Sequence, residues 1–464
     1  MMSSPLVGMV SECFIKPLHP VEDWKQICNL TPWDIAMLSM HYIQKGLLFK
    51  KPEPVVNEQD FVINLLDKLK HSLSLALFHF YPLAGRLVTQ KTQDQDPPSY
   101  NVFVDCTNSP GARFVYTTLN MTVSDILSPV DVPPVVQSFF DHHKAVNHDG
   151  HTLPLLSIKV TQLVDGFFIG CSMNHSVADG TSYWNFFNTW SEIFQAQAQA
   201  QRHEYDVPIS HHPIHNRWFP NGYGPVINLP FKHHDEFIDR FEVPLLRERI
   251  FHFSAESIAK LKEKANSESN TTKISSFQSL SAHVWRSVTR ARRLPHDQKT
   301  SCMLAINNRS RMEPTLPQEY FGNAIDVVSA TTTAGELIEH DLGWAAWKVH
   351  LTVADHNDAK VRRVLKEWLQ RPVVYQLGLH FDPYSVIVSS SPRFNMYGNE
   401  FGMGKPVAVL SGYANKCEGN ATAYPGYEGG GSVDFEVSLS PDAMSALELD
   451  EEFMEAVTVT NPLL

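Results

Sequence analysis

The order of helix-like and strand-like stretches constrains the fold of this chain more than any other feature of its sequence. Long helical patterns occur beside strand patterns, and the two kinds do not alternate strictly. Strict alternation would indicate a parallel sheet wound by helices, whereas this mixture predicts a mixed α/β (α+β) fold. Because 464 residues are enough for more than one hydrophobic core, we expect two lobes of similar size.

The clearest helical pattern lies in residues 61–87. Pro82 and Gly85 should end this helix, and a strand should begin at Arg86. Leucines recur on one helical face, which predicts core packing: Leu65, Leu66, Leu69, Leu73 and Leu77.

The middle of the chain has a different composition. The stretch QAQAQAQRHEYD is compositionally simple, and a segment rich in Pro, His and Gly follows it. We therefore predict that residues near 196–230 cross between an N-terminal lobe, 1–210, and a C-terminal lobe, 211–464.

Composition and motifs argue against several functional classes. The net charge of −12 argues against non-specific nucleic-acid binding, and the six cysteines lack the paired spacing of disulfides or zinc sites. There is no signal-peptide pattern and no apolar run long enough for a membrane span, so we expect a cytoplasmic protein without a membrane partner. The sequence lacks nucleotide-binding glycine loops and the G-x-S-x-G elbow of serine hydrolases.

Two histidine clusters raise the possibility of a metal site. They contain His211, His212 and His215, and then His233 and His234. Their spacing does not place ligands on one face of an element, so we predict no metal and no bound cofactor.

The segment SMNHSVADGTSYW holds the most suggestive polar residues. His175 lies at or just beyond the C-terminal end of an apolar strand pattern, where a side chain can face a crevice. Asp179 precedes Gly180 and a helical pattern, so its carboxylate is well placed to cap that helix. With 22 histidines in the chain, these residues alone leave a catalytic and a structural His175 both open.

Five segments in a fixed order resemble the plant BAHD acyl-CoA-dependent acyltransferases, an enzyme family of specialised metabolism. The resemblance covers nearly the whole chain, and HSVADG matches the family's H-x-x-x-D-G motif. The segments are LKHSLSLALFHFYPLAGRL (69–87), HSVADG (175–180), SSFQSLSAHVWR (275–286), NNRSRMEPTLPQEYFGN (307–323) and EFGMGKP (400–406).

This resemblance implies a fold like that of chloramphenicol acetyltransferase, with a channel between the two lobes. It makes His175 the general base and Ser389 the hydroxyl that stabilises the oxyanion. It also makes Asp179 and Gly180 structural, with Arg309 as the partner of Asp179.

The family's D-F-G-W-G signature, a structural turn, corresponds here to Glu400, Phe401, Gly402, Met403 and Gly404. This chain thus has Glu in place of the signature's Asp and Met in place of its Trp. The chain is similar to a branch of the family that shares this methionine, in which substrates are poorly predictable. The resemblance further implies contacts with coenzyme A from Lys273, Ser275 and Ser276.

The predicted function is transfer of an acyl group from an acyl-CoA co-substrate to a hydroxyl or amine of a small-molecule acceptor, by a monomer. The alternative is the same cavity used for an intramolecular elimination or acyl shift without coenzyme A. The acyl group, the acceptor and the choice between oxygen and nitrogen are left open.

Overall fold

The computed structural model describes residues 8–22, 25–53, 56–92, 99–199 and 208–458. Its strands are β1 (Gly8–Ile15), β2 (Ile27–Asn29), β3 (Ile43–Lys50), β4 (Arg86–Thr92), β5 (Ser99–Asp105), β6 (Ala112–Thr118), β7 (Leu156–Gln162), β8 (Gly166–Met173), β9 (Arg247–Phe253), β10 (Lys299–Asn307), β11 (Ile325–Thr333), β12 (Val386–Ser389), β13 (Ala408–Ser411), β14 (Asn420–Pro425) and β15 (Val433–Leu439).

The α-helices among these residues are α1 (Pro32–Ala36), α2 (Glu58–His79), α3 (Val123–Leu127), α4 (Gly180–Gln199), α5 (Ala255–Glu268), α6 (Ser276–Ala291), α7 (Ala334–Glu339), α8 (Leu342–Asp355), α9 (Asp358–Gln370), α10 (Leu377–His380), α11 (Pro441–Glu448) and α12 (Glu451–Ala456). Short 3-10 helices lie at Tyr81–Ala84, Pro134–Phe139, Asn147–His151 and His234–Glu236.

The described strands form two large sheets and one small sheet. The first sheet has the order β1-β6-β7-β8-β3-β13, the second has the order β11-β10-β12-β14-β15-β9, and β2-β5-β4 form the third. Each large sheet packs against helices and has its own hydrophobic cluster. This architecture confirms the predicted mixed α/β fold.

One strand of the C-terminal half lies in the first sheet. β13 pairs antiparallel with β3, with Ala408 opposite Leu48 and Ser411 opposite Lys45. The first sheet therefore includes a strand from the second half of the chain. The division at residue 210 stays a prediction, and residues 200–207 of its crossover lie outside the described residues.

The leucine-rich segment forms α2 with the buried face that the spacing predicts. Leu69 and Leu73 are fully buried, and burial of a leucine side chain stabilises the fold by about 1.5–3 kcal/mol. Pro82 lies in a 3-10 turn after the helix, and β4 begins at Arg86 as predicted.

The hairpin of β7 and β8 carries the chain to the H-x-x-x-D-G motif. β8 is antiparallel to β7 on one side and to β3 on the other, and all eight of its residues are buried. Because both neighbours fix β8, the residues that follow Met173 begin from a rigid strand end.

In the second sheet, β10, β12 and β14 run parallel to one another. The carboxyl ends of these three strands therefore lie at the same end of the sheet. At that end, β10 leads directly into Asn308 and Arg309. Among the described residues, no helix combines the length and apolar character that a membrane span requires.

Candidate active site

His175 follows β8 in a loop whose backbone is held from two sides. Its N–H donates to Asn147 Oδ1 at 2.7 Å, and its C=O accepts from Asn323 Nδ2 at 2.7 Å. Asn147 is itself fixed, because its Nδ2 donates to the Met37 carbonyl at 2.7 Å. Three distant parts of the chain thus set the position of this histidine.

His175 is half-buried, and its Nδ1 is buried without a hydrogen-bond partner among the described residues. Burial lowers the pKa of His175, and this effect outweighs the opposing influence of Asp179. The imidazole is consequently neutral near pH 7, which is the form that can accept a proton.

Asp179 is held in a buried ion pair with Arg309. Arg309 NH1 donates to Asp179 Oδ2 at 2.6 Å and NH2 donates to Oδ1 at 3.0 Å, with both side chains fully buried. Asp179 Oδ1 also accepts from the Ser182 N–H at 2.9 Å, which caps the first turn of α4. The Asp179–Arg309 pair that the family resemblance implies is present. The cap of α4 by Asp179 that the sequence predicts is present as well.

Arg309 connects the motif to the segment before β11. Its NH2 group also donates to the carbonyls of Tyr320, at 2.8 Å, and Gly322, at 3.1 Å. The Ala324 N–H donates to Asp179 Oδ2 at 3.0 Å. Together with the Ser182 N–H, these donors occupy both oxygens of the Asp179 carboxylate.

A second buried ion pair supports the same loop. Asp34 Oδ1 accepts from the Asn323 N–H and from Asn323 Nδ2, each at 2.9 Å, and Arg217 NH1 lies 3.2 Å from Asp34 Oδ2. Arg217 also donates to the Val177 carbonyl at 3.1 Å. Asp34 also forms a capping box with Thr31 at the start of α1.

Ser389 is the last residue of β12, at the end of the second sheet where the carboxyl ends of β10, β12 and β14 lie together. Its hydroxyl lies 3.4 Å from Thr422 Oγ1 on β14. The loop that follows Ser389 reaches the motif, because a Cβ added to Gly180 would lie 3.3 Å from the Phe394 ring. The neighbouring strand β10 also reaches it, since Asn307 Nδ2 donates to Thr181 Oγ1 at 3.2 Å.

The turn Glu400–Gly404 packs against α4, the helix that follows the motif. The Glu400 N–H donates to Ser191 Oγ at 2.8 Å, and the Phe401 ring is fully buried with its centroid 4.6 Å from that of Trp190. Gly402 and Gly404 both have φ of +74°, in the left-handed region that favours glycine. These contacts are those of a structural turn.

A surface groove of about 510 Å³ lies at the start of α6. Its walls include Lys262, Thr272, Ser276 and the glycines 430 and 431. Of the three residues predicted to contact coenzyme A, Ser276 lines this groove, and the exposed Lys273 and Ser275 lie between Thr272 and Ser276 in the chain. Ser275 is also the N-cap of α6, since its hydroxyl accepts from the Gln278 N–H at 3.3 Å.

The second histidine cluster forms a loose group at the surface. Ligand atoms of His233, His234 and Asp235 lie within 4.8 Å of one another. These side chains are largely exposed and consecutive, and His233 Nδ1 already contacts Asp235 Oδ2 at 2.9 Å. The absence of a metal site stays a prediction.

Comparison with curated proteins gives relatives over nearly the whole chain. An uncharacterized acetyltransferase of Arabidopsis thaliana is 36% identical and covers 97% of this chain and 99% of its own length. The BAHD acyltransferase DCR of the same plant is 32% identical, with coverage of 97% and 92%. Shikimate O-hydroxycinnamoyltransferase of Nicotiana tabacum is 30% identical, with coverage of 82% and 86%.

Solved structures share the fold. Vinorine synthase superimposes with a TM-score of 0.72 at 23% identity, covering 97% of this chain and 98% of its own. TRI101 of F. graminearum, solved with coenzyme A and T-2 mycotoxin, gives 0.70 at 18% identity, with coverage of 93% and 99%. Residues 6–454 match the family described as the Transferase family. The chain therefore belongs to this family, that of the BAHD acyltransferases.

Proposed function

We propose that the protein transfers an acyl group from an acyl-CoA thioester to a hydroxyl or amine of a small-molecule acceptor, with His175 as the general base. The observation that carries this proposal is the state of His175, which is partly exposed, held by its backbone and kept neutral by burial. Relatives named as O-hydroxycinnamoyl and N-benzoyl transferases support acyl transfer to either oxygen or nitrogen.

In the proposed reaction, His175 Nε2 takes the proton of the acceptor group as its oxygen or nitrogen attacks the thioester carbonyl carbon. The tetrahedral intermediate then collapses, the C–S bond breaks, and the imidazolium returns the proton to the leaving thiolate. General-base assistance of this kind contributes about 10²–10⁴ in rate. Ser389, the last residue of β12, is proposed to donate a hydrogen bond to the oxyanion, a contribution of about 10²–10³.

The groove at α6 is the proposed site for coenzyme A. Lys262 and the N-terminal end of α6 offer positive charge, and the hydroxyls of Thr272 and Ser276 offer hydrogen bonds. Lys273 lies beside them and would add a second cation for the phosphates. Solved complexes of TRI101 with coenzyme A show that this fold accommodates such a ligand in that protein.

The other features of this proposal remain predictions. They are a channel open to coenzyme A on one face and to the acceptor on the other, a monomeric state and a cytoplasmic location. The alternative reaction without coenzyme A is not favoured, since the relatives' names describe acyl transfer.

A thiol-release screen tests the proposal. Acetyl-, malonyl-, benzoyl- and hydroxycinnamoyl-CoA are incubated with pooled alcohols and amines, and free thiol is measured with and without the acceptors. We expect acceptor-dependent release that falls by about 10²-fold or more in His175→Ala. His211→Ala, which changes an exposed histidine, is the matched control and should retain full activity. Undiminished transfer by folded His175→Ala would refute the proposed base.

A further inference from the structure

A glycine-rich loop, residues 426–432, joins β14 to β15. Three consecutive glycines have positive φ, of 72° at Gly429, 65° at Gly430 and 99° at Gly431, and a Cβ added to any of them would meet no atom within 4 Å. Glycine is thus required here by backbone conformation and not by crowding. A loop of this kind has little side-chain packing of its own to fix its position.

One histidine ties this loop to the second sheet. His252 lies on β9 opposite Asp434 of β15, and its Nδ1 is 2.6 Å from Asp434 Oδ1. Its Nε2 is 2.8 Å from Oε1 of Glu428, which lies in the loop itself. The His252 ring is buried and the Glu428 side chain is about half exposed, so the ring connects a sheet strand to an exposed side chain of the loop.

While Asp434 and Glu428 are ionised, hydrogen bonds at both ring nitrogens require the imidazolium form. A neutral imidazole has one N–H donor, whereas the charged ring has two, and each ring nitrogen here faces a carboxylate oxygen. The hydrogen bond with Asp434 raises the pKa of His252, although burial opposes it, and the charges of Asp434 and Glu428 raise it further. These two carboxylates are the charged groups that face the ring. The loop's Tyr427 ring instead contacts Tyr397.

The same loop forms part of the groove at α6. Gly430 and Gly431 line it opposite Lys262 and Ser276. Successive backbone N–H groups in turn conformations create concave sites that favour anions, so the position of these glycines affects how well the groove holds a phosphate.

We propose that His252 is a protonation-dependent latch, which holds residues 426–432 against the second sheet and thereby completes the groove for coenzyme A. His252 is a positioning residue that acts through Glu428. The latch is closed at pH values below the pKa of His252 and opens as the pH rises through it. The part of this inference that concerns coenzyme A rests on the function proposed above.

Glu428→Gln tests the latch, since it removes the charge from the exposed end and retains the shape of the side chain. The matched control is Glu339→Gln, which breaks an exposed pair of the same kind, His296 Nε2 to Glu339 Oε1 at 2.9 Å. The full-length chain is used for two measurements at pH 6 and pH 9. These are hydrogen–deuterium exchange of residues 426–432, corrected for intrinsic exchange rates, and the dissociation constant of coenzyme A by calorimetry.

At pH 6 we expect about fivefold lower protection of the loop and about fivefold weaker binding of coenzyme A in Glu428→Gln than in the unmodified chain. At pH 9 the difference between the two proteins should be smaller, because His252 loses its proton as the pH rises through its pKa. Glu339→Gln should match the unmodified chain throughout. Because each ratio compares two proteins at one pH, the titration of the coenzyme A phosphates cancels.

Equal loop protection in Glu428→Gln and the unmodified chain at pH 6 would overturn the latch. A difference of the same size at both pH values would also overturn it, because the effect would then not depend on the charge of His252. If the unmodified chain fails to bind coenzyme A, the proposed function and the latch's role in the groove both fail. The exchange measurement still decides in that case whether the latch itself exists.

Discussion

Replacing Asp179 with asparagine tests whether the buried ion pair with Arg309 holds the loop of His175. Asparagine has nearly the same shape and keeps a carbonyl oxygen for the Ser182 N–H, so the cap of α4 is retained. The change therefore removes the charge with little loss of packing. What remains is a fully buried guanidinium group without a counter-charge.

The expected cost follows from the burial of both partners. Breaking a buried pair by removing one charge costs about 3–5 kcal/mol, because the other charge stays desolvated. The carbonyls of Tyr320 and Gly322 still accept from Arg309, so we expect the lower half of this range. Asp179→Ala should cost about 1 kcal/mol more, since it also removes the cap.

The assay is urea unfolding followed by tryptophan fluorescence, with a double-mutant cycle through Arg309→Met. The single variants should each lose stability, and the double variant should lose less than their sum, with a coupling of about 1–3 kcal/mol. Glu256→Gln is the control. It removes an exposed pair with Lys260 at 2.8 Å on α5 and should cost no more than about 0.5 kcal/mol. A loss in Asp179→Asn no larger than in this control would refute the reasoning.

Three further predictions concern His175 and the core. Asn323→Ala removes the donor to the His175 carbonyl and should lower kcat more than it raises KM. Steady-state kinetics with an active substrate pair would measure both constants. An equal kcat in the variant and the unmodified protein would contradict this prediction. Because burial lowers the pKa of His175 and the base must be neutral, the acid limb of kcat against pH should have its midpoint below 6.5, and a midpoint above 6.5 would argue against this residue. Lys45, whose pKa burial lowers from 10.5 to about 8, should be replaceable by methionine with a gain of up to about 3 kcal/mol at pH 7 in urea unfolding. This gain in stability should shrink between about pH 8 and pH 10.5, because the folded state of the unmodified chain binds fewer protons than its unfolded state in that interval. A gain in stability that does not vary with pH would contradict the prediction.

Local patterns were sufficient for much of the fold. The leucine spacing of α2 and the polar residue before α4 are each properties of a few neighbouring residues. Both predictions are confirmed by the structure. Each depended on a signal that needs no knowledge of the rest of the chain.

Two of the strands have weak local signals in the sequence. β1 is an edge strand with mostly exposed residues, and β14 is a short run, NATAYP, without clear alternation of apolar and polar residues. The placement of β13 in the first sheet was also beyond local reasoning. Only its pairing with β3 decides which sheet it joins.

The contacts that build the site are the least local of all. His175 is held by residues 28 and 148 positions away in sequence, and Asp179 by a residue 130 positions away. No periodicity in the sequence links such residues. The sequence alone therefore does not predict the Asp34–Arg217 pair. The ion pair with Arg309 was anticipated only through the family resemblance.

This arrangement means that neither half of the chain can build the site alone. His175 comes from the segment after β8, but the asparagine on its carbonyl and the arginine on Asp179 come from the second half of the chain. The first sheet in turn includes β13 from the second half of the chain. β13 pairs with β3, and β3 pairs with β8 on its other side. Each lobe is therefore completed by the other, and the geometry of His175 depends on correct docking of the two. A buried charge at this junction stabilises only the docked state, because undocking would leave Asp179 and Arg309 each without its partner.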